Sequence, residues 1–397
     1  MIWASGAGSG GDRTQRGTLM ALIQPSRVLA VRLSAIGDVV RTLPSVLALR
    51  RTLPKSHLAW LVEDIAADAL AGHPEIDALW VIPRRKWRRG LRSPRTAPAT
   101  LREMAGFVRR LRGEAFDWVV DFHGILKSGL WTRVTGAPLR IGYEPAGNRG
   151  WGSREGNRFF MTHRVDVPPE RISRFQRNEI LVRYVREEIL GLEADTFPDG
   201  IAGPILPVGA SAQADVNRFL DSAPHAAPGR ESENGSGALI AIHPGSSEST
   251  AYKRWHPERY GEVADALLER GHRVIFTWGP GEREAVEAIA SAMKRRPIIA
   301  PETPTLQHVA ALFRQCALYI GNDTGPMHIA ALSGTPVLAV FGPTDPTENA
   351  PYPGVPSVVV RKDVGCDCPK RRCLTRACFD AVASEDVLHA ALGLLRP

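Results

Sequence analysis

Twice along this chain, short apolar runs alternate with segments of helical periodicity, and the alternation breaks once, at "DSAPHAAPGRESENGSG" (221–237). That doubled rhythm constrains the fold more than any other feature. Apolar runs bounded by helices bury both faces, the pattern of a parallel sheet clothed with helices on each side. In the first series, strands are read near Val28–Leu33 and at 57–63, 76–83 and 117–124. In the second they fall at 238–245, 272–280, 297–300, 318–323 and 336–346. The interruption is rich in Pro, Gly, Ser and acids, which is linker chemistry. The predicted organisation is a leader over 1–26, an N-terminal Rossmann-like domain over 27–220, a linker over 221–237 and a C-terminal Rossmann-like domain over 238–397. The fold class is α/β, with two doubly wound lobes facing a cleft, and 397 residues suit two such domains.

Other features exclude whole classes of function. No run of about 18 apolar residues is present, so no membrane-crossing helix is expected. Gly6, Gly8 and Gly11 spell a dinucleotide fingerprint, but no strand precedes them and no apolar helix follows, so the match carries nothing. The net charge of +8 is concentrated in "RRKWRRGLRSPR" (84–95), which holds seven Arg and Lys. That run reads as a solvated loop, or as a docking surface for anionic lipid with Trp87 at the interface. No RNA-binding signature accompanies it, so a nucleic-acid partner is not expected. Residues 140–178, rich in Gly and Arg, read as an extended irregular region. Five cysteines make no disulfide scaffold and suit a reducing compartment. Four of them, Cys366, Cys368, Cys373 and Cys378, lie close enough in sequence to hold a structural metal, or to be free thiols on a basic loop.

Ligands of open α/β sheets lie beyond the carboxyl ends of the strands, so those ends are read together. In the second half, Asp323-Thr324-Gly325-Pro326 turns a strand directly into a helix with Pro near its first position. The amides of Thr324, Gly325 and Met327 then face outward at the positive end of that helix, a site for a diphosphate. Ser246, Ser247 and Lys253 on the neighbouring loop add hydroxyls and a cation. The first half offers an acid instead. Asp38, at a helix start, is by itself a capping or dipole-complementing residue. Facing a phosphate-binding lobe, it can take the proton of an attacking hydroxyl. The chain contains no Asp-x-Asp, so amides and lysine, not a metal, are expected to neutralise the diphosphate, and no cofactor is expected.

"SAIGDVVRTLP", "DFHGILKSGL", "HPGS" with Lys253 and Trp255, and "GNDTGPMHIAALSGTPVLAVFGPTDP" together resemble the heptosyltransferases of glycosyltransferase family nine, over about residues 27–380. The resemblance implies a GT-B fold with the donor in the C-terminal lobe. It implies transfer of a heptose from ADP-heptose, with inversion, onto the inner core of lipopolysaccharide. Asp38 then matches the general base, and Lys253 and Ser246 match positions near the donor phosphates. Asp323, Thr324 and Gly325 match the loop that holds donor sugar and diphosphate, with Met327 just beyond. Glu63, Lys127 and Arg154 of "SREG" resemble acceptor-side positions. The implied partners are the ADP-heptose donor, a lipid-linked core oligosaccharide acceptor and the anionic inner membrane surface. The implied location is cytoplasmic, peripheral on that membrane's inner face. A non-catalytic sugar-nucleotide binder or a family member using another sugar are the alternatives; the presence of both Asp38 and Lys253 favours the enzyme.

Overall fold

The computed structural model describes residues 24–146, 151–152, 154–193, 203–223, 237–366, 373 and 375–396. Most of the leader and of the 221–237 linker therefore lies outside the described residues. The first series forms six strands: β1 (Arg27–Val31), β2 (His57–Glu63), β3 (Ala78–Ile82), β4 (Trp118–Asp121), β5 (Leu139–Tyr143) and β6 (His163–Val165). They pair in parallel in the spatial order β3-β2-β1-β4-β5-β6. The second series repeats the plan with β7 (Leu239–His243), β8 (Arg273–Phe276), β9 (Ile298–Ile299), β10 (Leu318–Asn322), β11 (Val337–Val340) and β12 (Ser357–Val360). Their order is β9-β8-β7-β10-β11-β12, again all parallel. Each sheet reverses direction of winding between its first and fourth strands, and this switch point is where such sheets open a crevice. The expected pair of doubly wound lobes is present.

The helices that matter to the cleft are α1 (Ile36–Thr52), α2 (Arg84–Gly90), α3 (Ala97–Gly113), α4 (Leu126–Val134), α5 (Arg174–Tyr184), α6 (Ala210–Ser222), α7 (Leu306–Arg314), α8 (Gly325–Leu332) and α9 (Pro346–Asn349). One buried apolar cluster draws on both series, from Leu43 and Phe175 to Met327 and Tyr352. Phe175 on α5 packs against both His328 and Tyr352 of the second series, with ring centroids 6.2 and 5.1 Å away. Helix α6, which precedes the linker, packs on α7 of the second sheet.

Two sequence expectations fail here. Residues 140–178 are not an irregular region. They supply the last two strands of the first sheet and the start of α5, whose Ser173 forms a capping box with Gln176. The basic run is not a loop either, because 84–90 is helical and Trp87 is 4% exposed. Trp87 stacks on Trp131 of α4 at 6.3 Å and meets Phe107 of α3 edge-on at 5.5 Å. A single aromatic at the centre of a charged helix turns inward because burying its ring gains far more than burying any neighbour. Trp87 therefore belongs to the core and is not at an interface.

Candidate active site

The cleft floor is a meeting of two helix N-termini. Helix α1 begins four residues after β1, and α8 begins two residues after β10, so both starts lie at the carboxyl edges of their sheets. Gly37 lies so close to α8 that a Cβ added there would be 3.4 Å from the Cα of Gly325 and 3.6 Å from the His328 ring. Two positive helix ends this close favour anions between them.

Asp38 supplies one such charge. Its Oδ2 is 2.8 Å from Nη2 of Arg32, and its Oδ1 is 2.5 Å from Nη2 of Arg41. Both guanidiniums are nearly covered, whereas the carboxylate is 26% exposed. Burial by itself pushes the Asp38 carboxyl up, but Arg32, Arg41 and Arg174 together reverse this and hold it well below the usual carboxylate value. Arg32 is fixed in turn by donating to the Phe122 carbonyl at 2.7 Å, and Arg41 by donating to the Gly37 carbonyl at 3.2 Å.

Across the cleft, Lys253 Nζ donates to Oδ2 of Asp323 at 2.7 Å and to the Asp323 carbonyl at 3.1 Å. Asn322 holds this loop pair together. Its Oδ1 accepts from the Trp255 amide and the Tyr260 hydroxyl, each at 2.9 Å, and its Nδ2 donates to the Pro244 carbonyl at 2.9 Å. The strand-to-helix turn through Thr324, Gly325 and Pro326 leaves the first-turn amides, including that of Met327, without intrahelical acceptors. The Met327 side chain itself is core. Ser246 is buried, its hydroxyl donating to the Thr250 carbonyl at 3.0 Å and accepting from Arg254 at 3.1 Å. His328 lies beneath the loop, kept neutral by burial and by the cations of Arg41 and Lys253.

A second cluster lies farther out on the first lobe. Glu63, 1% exposed at the end of β2, accepts from Lys127 Nζ at 2.5 Å and from Arg84 Nη1 at 3.1 Å. Arg154 is exposed, and its amide donates to the Gly124 carbonyl at 2.7 Å, placing it at the end of β4. The loop between β4 and α4 is held by Asp121, which accepts from the His123 and Gly124 amides and from Asn157 Nδ2 at 2.8 Å. His123 is driven down to about 3, first by burial and then by Arg32, and is neutral at ordinary pH. The structure thus joins Lys253 to the Asp323–Gly325 turn, brings α1's first turn onto that turn, and groups Glu63 with Lys127.

The sequence reading missed the residues that hold Asp38. Arg41, three positions on along a helix, was legible as a neighbour; Arg32, at a strand end, was not. It also missed a polar seam between the lobes. Asn349 Oδ1 accepts from Arg41 Nη1 at 3.2 Å and from Arg174 Nε at 3.4 Å, while Arg171 pairs with Asp345 and, at 3.9 Å, with Glu348. Of the cysteines, Cys368 lies outside the described residues. The Cys378 thiol is pushed up by burial, and further by Cys373 and Cys366. Among the described residues no three His, Cys, Asp or Glu side chains are grouped to hold a metal ion.

Comparison with known proteins gives the family and the fold. The family model described as "Glycosyltransferase family 9 (heptosyltransferase)" matches residues 104–376. The chain is 27% identical, over 91% of its length and 89% of the relative's, to lipopolysaccharide heptosyltransferase 1 of Pseudomonas aeruginosa. Its fold is similar to that of a solved family 9 glycosyltransferase from Veillonella parvula, with a TM-score of 0.75, 24% identity, and 93% and 97% of the two chains covered. It is also similar to the Escherichia coli heptosyltransferase WaaC solved with ADP, with a TM-score of 0.68, 21% identity, and coverage of 93% and 99%.

Proposed function

The chain belongs to glycosyltransferase family 9, and from that premise we propose that it transfers a heptose from ADP-heptose, with inversion, onto the inner core of lipopolysaccharide. The observation that carries the reading is the juxtaposition of Asp38 on α1 with the Lys253–Asp323 pair and the free end of α8. In this scheme the donor diphosphate lies on the first-turn amides of α8, and Lys253 exchanges Asp323 for a phosphate oxygen. An acceptor hydroxyl oxygen then bonds to the anomeric carbon from the face opposite the diphosphate. The carbon–oxygen bond to the diphosphate breaks, and its electron pair leaves with ADP. The hydroxyl proton passes to Asp38.

The arginine clamp bears on how that proton moves. A carboxylate held well below its usual pKa is a weak base, too weak to deprotonate a free sugar hydroxyl. Once the oxygen has begun to bond to the anomeric carbon, its proton becomes strongly acidic, and a weak, ionised, oriented carboxylate suffices. Proton transfer therefore follows bond making, and the clamp keeps Asp38 unprotonated and aimed until then. The leaving diphosphate is stabilised by helix amides and a lysine, a preorganised arrangement that needs no metal.

Under the same reading the 27–220 domain carries the acceptor and the 238–397 domain the donor. Glu63, Lys127 and Arg154 border the acceptor, and the seven cations of 84–95 face the anionic inner membrane surface. No helix among the described residues is long and apolar enough to cross a membrane. The test is incubation of the purified protein with ADP-heptose and a heptose-less lipopolysaccharide extract. Incorporation of one heptose and release of ADP support the reading; binding of ADP-heptose without transfer would overturn it in favour of a non-catalytic binder.

A further inference from the structure

Among the described residues, nine large apolar side chains are exposed, and seven of them lie between Ile65 and Phe159. Scattered exposed apolar residues need no explanation, but this concentration in the first lobe does. The frame beneath it is rigid. Trp87 on α2, Phe107 on α3 and Trp131 on α4 form one aromatic knot, with Trp80 of β3 edge-on to Phe107 at 5.5 Å. The knot locks three helices together and leaves their outer faces free. Leu126 and Leu130, one turn apart on α4, point outward, and the turn at 157–160 packs onto α4 at Gly129, where an added Cβ would strike Phe160. That turn carries Phe159, 76% exposed, with the Arg158 guanidinium 4.9 Å from its ring centroid.

Exposed cations accompany these side chains on the same lobe. Arg85, Arg88, Arg89, Arg92 and Arg95 are exposed and make no ion pair with the described residues, and exposed Arg133 shares the face of Leu126 and Leu130. Helices α2 and α4 both leave the carboxyl edge of the first sheet, the edge that carries Asp38 and Glu63.

We propose that the outer face of α2, α3, α4 and the 157–160 turn docks on an anionic lipid bilayer, with Leu126, Leu130 and Phe159 entering the headgroup–acyl boundary among arginines that meet lipid phosphates. Exposed cations on the same lobe as separate protruding apolar side chains match such a boundary, which presents anions above hydrocarbon. The proposal rests on the reading that the acceptor is carried by a lipid. It differs from a purely electrostatic docking surface in one measurable respect. Charge attraction is screened beyond about 3 Å at about 1 M salt, whereas apolar insertion survives.

The experiment is co-sedimentation of the full chain with phosphatidylcholine vesicles and with phosphatidylcholine–phosphatidylglycerol vesicles, at low and at about 1 M salt. Three proteins are compared: wild type, Leu130→Ser with Phe159→Ser, and Arg88→Gln with Arg89→Gln and Arg92→Gln. Wild type should bind the anionic vesicles and keep a salt-resistant fraction. The apolar double variant should bind about ten-fold more weakly at both salts, from the loss of two inserted side chains. The arginine variant should weaken at low salt and match wild type at high salt. Sedimentation of the apolar variant equal to wild type, or wild-type binding to uncharged vesicles equal to that on anionic vesicles at low salt, overturns the proposal. Thermal unfolding of the variants, which change only exposed side chains, should match wild type and so excludes misfolding. Phe159→Trp adds a direct measure, since its added fluorescence should be quenched by acyl-brominated lipid; no added quenching also overturns insertion. The vesicle assay contains neither donor nor acceptor. Transfer to a delipidated core oligosaccharide is measured separately, so failure of docking and failure of the proposed transfer are distinguishable.

Discussion

Asp38→Asn preserves the shape of the side chain and removes its charge, and two losses follow. The first is catalytic. Removal of a positioned base lowers turnover by about 10²–10⁴-fold, or about 3–5 kcal/mol of transition-state stabilisation. Donor affinity should stay nearly unchanged, because the diphosphate lies on α8 and Lys253 in the other lobe. The second loss is structural. Arg32 and Arg41 are both almost covered and would face each other without their shared counter-ion. Breaking a buried ion pair costs about 3–5 kcal/mol. Asp38 is partly exposed and the Asn oxygen still accepts one hydrogen bond, so the lower end, about 3 kcal/mol, is expected. The pH dependence has a definite sign. The folded-state pKa of Asp38 is depressed, so its contribution is full above the unfolded value near 3.9 and disappears as pH falls through the folded value below it. The gap in urea stability between wild type and variant should therefore be constant from about pH 8 to 5 and close only in stronger acid. Initial rates at saturating donor, equilibrium donor titration and urea unfolding across that range provide the readouts. Wild-type turnover in the variant would refute the base, and a gap that shrinks between about pH 7 and 5 would refute the clamp.

Asn349→Ala removes the oxygen that receives both Arg41 and Arg174, so turnover should fall about ten-fold while Asn349→Asp, which keeps an acceptor, recovers most of it. Transfer should survive excess EDTA, and loss of activity restored by Mg²⁺ would refute the amide-and-lysine account of the leaving group. Elemental analysis of the same preparation would reveal a metal held by Cys366, Cys368, Cys373 and Cys378 without bearing on that account. Trp87→Ala should destabilise the first lobe by about 3–5 kcal/mol, as for a large core aromatic, and an unchanged melting profile would contradict its burial.

The two lobes and the end of each sheet where a ligand lies were legible in the sequence because they depend on local patterning. Val28–Val31 and Ile240–Ile242 are buried on both faces of their sheets, and a run of consecutive apolar residues announces that without knowledge of any neighbour. The α8 start was legible for a similar reason, since Gly-Pro after a strand specifies a helix N-terminus within three residues. Asp38 and Lys253 stood out as charges on the segments that follow the first strand of each sheet. What they touch was not legible. Arg41 reaches Asn349 across 308 positions, and Arg174 reaches it across 175, and no local period encodes such separations. The same limit explains Trp87. Its five charged neighbours on α2 signal a solvated helix, while its burial depends on Phe107 and Trp131 arriving from two other helices. The sequence by itself determined the strand–helix alternation of the two lobes and the start of α8, because those follow from side-chain polarity at fixed short spacing. Only the tertiary structure decided which charges meet, because ion pairing depends on distances set by the packing of whole sheets and helices against one another.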